Sequence, residues 1–221
     1  LGVGFDNVHL NREIADTQAE LVQRLSDVVE SRSGETGQHT LRVGRVAFAL
    51  AQKLGLDERA AELLRVVAPL HDLGKVGIPD AILNKPAKLT DAEFDVIRSH
   101  PAAGHAILLE SSGVGSDPLE ITRHHHERMD GCGYPYGLSG DDIPLMARII
   151  LIADTYDAMT TTRPYRKGMG QEFAYKELKK FAGRQFDAHQ PRHQRSRRVD
   201  VTHEDPEVPH APGAQTRGGR H

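Results

Sequence analysis

The sequence predicts an all-α fold, and three observations carry that prediction. Apolar residues recur at helical spacing through most of the first 187 positions, and capping residues and helix terminators bracket those stretches. Nowhere does a run alternate apolar and polar residues as a half-buried strand would. The composition agrees: 221 residues, 38% hydrophobic and 27% charged, suit one large domain, or a small domain plus extensions, with an ordinary core.

Taken in order, the elements justify the class. Ile14, Leu21, Leu25 and Val28 stand at near-heptad spacing, Val22 and Val29 widen the stripe, and Gln18 interrupts it. This is either a packing helix or the seam of a short coiled-coil dimer. A second helix is expected from about Thr36 to Leu54, stopped by Gly55. Asp57 caps a third, which passes through Leu63, Leu64, Val66 and Val67 to His71-Asp72 and ends at Gly74. Thr90 and Glu93 form a capping-box pattern opening a helix to His100, where Pro101 starts another. Asp117-Pro118 opens a helix ending in His124-His125-His126. Gly131, Gly133, Pro135 and Gly137 then impose an irregular loop. Pro144 begins an apolar helix through Ile149, Ile150 and Ile152 to Met159, and a last amphipathic helix covers about Gln171 to Phe181.

Charge and composition exclude several function classes. A formal charge of −3 is wrong for a protein that binds nucleic acid polymers through overall basicity. No apolar run approaches the roughly 18 residues a membrane helix needs, so no membrane insertion is expected. The single cysteine, Cys132, excludes an intrachain disulfide framework and suits either a reducing, cytoplasmic setting or indifference to redox compartment. No basic-then-apolar leader opens the chain, and a start at Leu1 is what a fragment of a longer protein would show.

The pattern changes near residue 188. Residues 188–221 hold six arginines, five histidines and four prolines, and valine is their only large apolar residue. Such a segment cannot offset its ordering entropy by burial and is expected to be a disordered tail. Its composition is also that of GC-rich DNA read out of frame, so a frameshifted C-terminus is a further expectation. The resulting division is 1–33 as a linker or signalling helix, 34–187 as the main domain, and 188–221 as tail.

The thirteen histidines locate the chemistry. Histidine is the commonest metal ligand, and carboxylates complete oxygen-rich sites. Glu35 and His39, four apart, project from one helix face if both are helical. His71 and Asp72, about 100° apart on a regular helix, suit two neighbouring ions better than one. Lys75 follows on the same side. His100 stands at a helix end, as do His125 and His126, and Asp154 and Asp157 lie on an apolar helix where a buried carboxylate needs a cation or donors. Plainer roles exist for each: a helix cap, a solvated Glu35–His39 face, a hydrogen-bond hub at Asp154. His9, His105 and His124 are expected to be ordinary polar residues, and His124 an exposed one. The plainer roles leave unexplained why the set is spread across five helices.

The segments Glu35-Thr-Gly-Gln-His39, His71-Asp72-Leu-Gly-Lys75, Ser99-His100-Pro101, His125-His126-Glu127-Arg-Met-Asp130-Gly-Cys-Gly133-Tyr134-Pro135, Asp154-Thr-Tyr-Asp157 and Arg163-Pro-Tyr-Arg166 occur in this order. Together they resemble the HD-GYP domain, a branch of the HD phosphohydrolase superfamily, over about residues 11 to 187. The stretch from Arg12 to Glu20 resembles the linker helix that joins a response-regulator receiver to such a domain. The resemblance implies a helical bundle with a metal cluster at its middle. It implies His39, His71, Asp72, His100, His125, His126 and Asp154 as metal ligands, Glu35 as the ligand of a third ion, and His71, Asp72, Lys75 and Asp154 as the catalytic set. Lys75, Tyr134, Asp157, Arg163 and Arg166 match positions on or near bound nucleotide. Two or three divalent ions are implied, iron or manganese before others, and nitrogen and carboxylate donors without thiolate agree.

The activity implied is hydrolysis of cyclic di-GMP to pGpG and/or GMP, as the output domain of a bacterial two-component signalling protein. The partners implied are an upstream receiver or sensor domain, a GGDEF-type protein and a second copy of the chain. A non-catalytic sensing or docking module, or a hydrolase of another cyclic nucleotide, are the alternatives. The chain departs from the family at Met129, Cys132 and Ala87, where tryptophan, serine and glycine are usual, and after Asp187, where a proline and a closing helix are expected.

Overall fold

The structure is a computed structural model that describes residues 2–33, 38–110, 115–162 and 167–188. All of these lie in the first of two compact units, Leu1–Gln190. The expected tail, beyond Ala188, falls outside the described residues, as do Glu35, Arg163 and Arg166.

Among the described residues the secondary structure is helical, with no strand. The helices are α1 (Gly2–Arg32), α2 (Gln38–Lys53), α3 (Glu58–Val67), α4 (Asp80–Leu83), α5 (Asp91–Arg98), α6 (His100–Leu109), α7 (Ser116–His124), α8 (Leu145–Thr160) and α9 (Gln171–Lys180). The boundaries follow local chemistry. Gly55, at φ 79°, lies just past the end of α2 in the left-handed region that glycine occupies most readily. The Asp57 side chain accepts from the Ala60 N–H at the start of α3, and Thr90 and Glu93 exchange both bonds of a capping box on α5.

One expectation fails. The third helix does not run on to Gly74: α3 stops at Val67, and two 3-10 turns, Ala68–Leu70 and Leu73–Gly77, flank His71 and Asp72. Pro69 lacks the N–H that another α-helical turn would need. Gly74 is therefore no terminator. A Cβ there would lie 1.9 Å from the His100 carbonyl oxygen, so glycine is what lets the His71–Asp72 turn close onto the start of α6.

The core lies where α2, α3, α7 and α8 meet. Val43, Ala47, Leu64, Ile121, Ile149 and Ile150 are buried together there. Each fully buried Leu or Ile contributes roughly 1.5–3 kcal/mol, and small alanines at 47, 51, 61 and 153 let the helices approach. The last turns of α1 join this body through buried Ser26, Val29 and Glu30, while Ile14, Leu21, Leu25 and Val28 stay exposed on its other side. Buried Phe186 and an Arg148–Asp187 ion pair at 2.7 Å hold the end of the described chain against α8. α9 leaves Phe173 and Tyr175 exposed. No helix among the described residues is long and apolar enough to cross a membrane.

Candidate metal centre

Three histidines are aimed by the same local device. The Nδ1 atoms of His71, His100 and His125 lie 2.6, 2.8 and 2.9 Å from the carbonyl oxygens of Ala68, Ile97 and Thr122, each three residues earlier. A carbonyl can only accept, so Nδ1 must carry the proton in each ring, and a neutral ring then presents a bare Nε2 lone pair inward. His39 is held by a carboxylate instead. Its Nδ1 lies 2.7 Å from Asp157 Oδ2, and Arg42 donates to both oxygens of Asp157, at 2.5 and 3.0 Å.

The inward atoms converge on Asp72. Its Oδ1 lies 3.1 Å from His100 Nε2 and 3.8 Å from His125 Nε2, and its Oδ2 lies 3.2 Å from His71 Nε2 and 2.5 Å from Lys75 Nζ. His39 Nε2 faces Asp154 Oδ1 at 3.4 Å. Two groups have donor atoms all within 4.8 Å of one another: Asp72 with His100, His125 and His126, and Asp72 with His39 and His71. Asp72 belongs to both, as a carboxylate shared by two neighbouring ions would. His39, His71, Asp72, His100 and His125 are buried; Asp154 is partly exposed.

The donor set fits divalent cations on evidence of its own. Asp72 Oδ1 is buried with no hydrogen-bond partner. His100 Nε2 and His125 Nε2 face each other at 3.1 Å although both rings use their Nδ1–H on carbonyls. Two neutral rings so arranged point lone pair at lone pair, which a cation between them relieves.

Electrostatics divides the centre. Burial lowers His39, but its hydrogen bonds to Asp154 and Asp157 outweigh that and push it up to about 10. Burial likewise lowers His71, yet the Asp72 charge raises it to about 9. Burial holds His125 down at about 4 and His126 well below the usual histidine value. Burial opposes ionisation of Asp72, but Lys75 and His71 keep its carboxyl well below the usual range. In the metal-free protein His39 and His71 thus hold protons, while His125 and His126 are bare bases.

The residues expected at the nucleotide fall in two kinds of place. Tyr134 lies at the centre, stacked on His126 with ring centroids 4.6 Å apart. Lys75 is also there, with its ammonium on Asp72. Asp157, by contrast, is 3% exposed and both its oxygens are engaged by His39 and Arg42, so it faces His39 and not open space. His124, expected to be exposed, is buried against Tyr136 and paired with Glu120 at 3.2 Å. Cys132 is free and exposed.

Two further residues escaped the sequence reading. Glu127 is buried, and its two oxygens accept from the N–H groups of Tyr136 and Leu138 at 2.8 and 2.9 Å, which folds the loop back over the centre. Its sequence signal was a carboxylate directly following the histidine pair. Glu30 of α1 is buried with both oxygens unpartnered. Its only signal was an acidic residue on the face that also carries Ser26 and Val29.

The comparisons with known proteins agree with this architecture. The model of the HD domain family matches residues 23–189. The chain is 42% identical over 188 residues to the 3'3'-cGAMP-specific phosphodiesterase 2 of Vibrio cholerae, a match that covers 85% of this chain and 36% of that protein. It is 41% identical over 179 residues to the cyclic di-GMP phosphodiesterase response regulator RpfG of Xanthomonas campestris pv. campestris, covering 79% of this chain and 47% of that one. The chain thus spans less than half the length of these relatives. Among solved structures, a cyclic GMP-AMP-specific phosphodiesterase of V. cholerae shares the fold, with a TM-score of 0.59 and 19% identity over 77% of this chain and 46% of that one. A family model that covers the bundle from the end of α1 past α9, and with it every histidine of the centre, leads to one conclusion: the chain belongs to the HD domain family.

Proposed function

We propose that this chain is the phosphodiesterase unit of a longer bacterial signalling protein, hydrolysing cyclic di-GMP to pGpG and/or GMP with two or three divalent ions, iron or manganese. The observation that carries the reading is the pair of donor groups sharing Asp72. Two ions held there would supply an activated water and stabilise charge on the attacking and leaving oxygens of a phosphodiester.

The chain's own residues do the rest. His39, His71, Asp72, His100, His125, His126 and Asp154 serve as ligands, the four carbonyl and carboxylate contacts behind the rings fixing their direction. Lys75, beside Asp72, brings positive charge to the position of a substrate phosphate. Tyr134 offers an aromatic face stacked on His126, and Glu127 holds the loop that carries it. Glu35 as the ligand of a third ion, and Arg163 and Arg166 as phosphate contacts, complete the proposal from outside the described residues. Replacing Glu35 with alanine would then lower the bound metal by one ion per chain. Asp157 acts behind His39 and not on the substrate.

The motif order and the relative named for cyclic di-GMP support that substrate. The relative named for 3'3'-cGAMP supports a second reading, in which the same centre cuts the mixed dinucleotide. A turnover panel of cyclic di-GMP, 3'3'-cGAMP and cyclic di-AMP on manganese-loaded protein decides between them. Faster turnover of cyclic di-GMP is the expected result, and a preference for 3'3'-cGAMP would replace the substrate while keeping the chemistry.

A further inference from the structure

Among the described residues the centre carries little negative charge for the two ions it would hold. Among the described donors only Asp72 and Asp154 are acidic, and Asp72 already faces the Lys75 ammonium. Two divalent ions would leave a large positive excess in a buried, low-dielectric site. One more acidic residue is buried on α1, which packs against the two turns flanking His71 and Asp72. Glu30 is 1% exposed, and neither of its oxygens has a hydrogen-bond partner. A buried carboxylate without donors is costly for a protein to keep unless a cation answers it. Burial first, then the Asp72 charge, raise the Glu30 carboxyl above the usual range, and Lys75, His39 and His71 oppose this, so added cations at the centre would favour its charged form.

Its placement is held by a built contact. Two residues further along α1, Arg32 donates to the carbonyls of Lys75, Val76 and Ile78 at 3.4, 2.7 and 2.9 Å and pairs with Asp80 at 2.8 Å. Asn84 returns a bond to the Arg32 carbonyl at 2.7 Å. The end of α1 is thereby locked to the segment that carries Lys75, which sets the position of Glu30 relative to the Lys75–Asp72 pair.

We infer that Glu30 is a charge-balancing carboxylate of the metal centre, a positioning residue delivered by α1 that favours divalent cations over an empty site. The inference rests on the proposed metal centre. It predicts opposite effects on the empty and the loaded protein, which a structural buried glutamate would not give.

The experiment titrates metal-stripped full chain with Mn2+ by calorimetry and records melting without metal, for wild type, Glu30→Gln and Glu30→Leu. Both variants should bind Mn2+ about tenfold more weakly. Glu30→Leu, which removes two unsatisfied buried oxygens, should melt in the metal-free state at or above the wild-type temperature. Unchanged Mn2+ affinity in both variants overturns the inference and leaves the metal centre standing. A Glu30→Leu protein that melts lower, or fails to fold, makes Glu30 structural and overturns it as well. Wild-type protein that binds no Mn2+ removes the metal centre, and the inference with it.

Discussion

Asp157 and His39 form a buried pair across the bundle, with Asp157 Oδ2 2.7 Å from His39 Nδ1 and 118 residues between them in the chain. Arg42, one turn along α2 from His39, grips the same carboxylate, so the His39 ring is anchored from α8 and from its own helix at once. This arrangement directs His39 Nε2 toward Asp154. Asp157→Asn keeps the shape and loses the charge. Mn2+ binding should weaken by about 10–100-fold, measured by calorimetric titration, with little change in helical content.

Asp72 is the residue common to both donor groups. Asp72→Ala should abolish phosphodiester turnover and reduce bound metal while leaving the far-ultraviolet spectrum nearly intact. The variant also strips Lys75 of its closest carboxylate, so some loss of thermal stability is expected alongside. Retained activity in this variant is incompatible with a shared carboxylate.

Metal loading should release protons. His39 at about 10 and His71 at about 9 are both protonated at pH 7.5 in the metal-free protein. A cation must displace those protons, so binding should release up to about two per chain, and apparent affinity should rise as pH rises toward 9. Calorimetry in two buffers of different ionisation enthalpy counts them. No proton release would place the bound metal away from these two rings.

On the proposed reading, Glu127 bears on substrate more than on metal. Its carboxylate satisfies two backbone donors in the loop that carries Tyr134, and Glu127→Ala leaves both unpaired. The cost should be about 1–3 kcal/mol of stability. KM for the cyclic dinucleotide should rise by about tenfold while Mn2+ affinity changes little, a split that steady-state kinetics and titration together resolve.

Helix α1 has two working faces. Ser26, Val29 and Glu30 pack inward, and Ile14, Leu21, Leu25 and Val28 stand exposed at heptad-like spacing with exposed Gln18 among them. Replacing Leu21 and Leu25 with lysine should move the sedimentation coefficient of a dimeric chain toward monomer without altering metal content. A chain that sediments as monomer before the change assigns that seam no role in self-association.

Much of this was legible in the sequence where the signal is local. Gly55, Asp57, Thr90 with Glu93, and Pro144 mark helix ends through contacts a few residues long, and the structure has those ends. The histidines that converge on Asp72 could be named because their types and order form a pattern even without distances. Other features were not legible because they depend on contacts distant in sequence. That Asp157 serves His39 follows from packing α8 on α2, and no spacing rule links positions 118 apart. Glu30 reads as one more polar residue of an amphipathic helix until α1 is docked. Pro69 marks the break between α3 and the His71–Asp72 turn, but the periodic apolar residues before it point to an unbroken helix.

The most direct test of the account is turnover of cyclic di-GMP by metal-stripped protein, resolved by chromatography, before and after anaerobic loading with Fe2+ or Mn2+. The account predicts no product from the stripped protein, linear pGpG or GMP once metal is restored, and none from Asp72→Ala at the same metal concentration. Equal turnover with and without metal, or no turnover of any cyclic dinucleotide by the fully loaded protein, would contradict it.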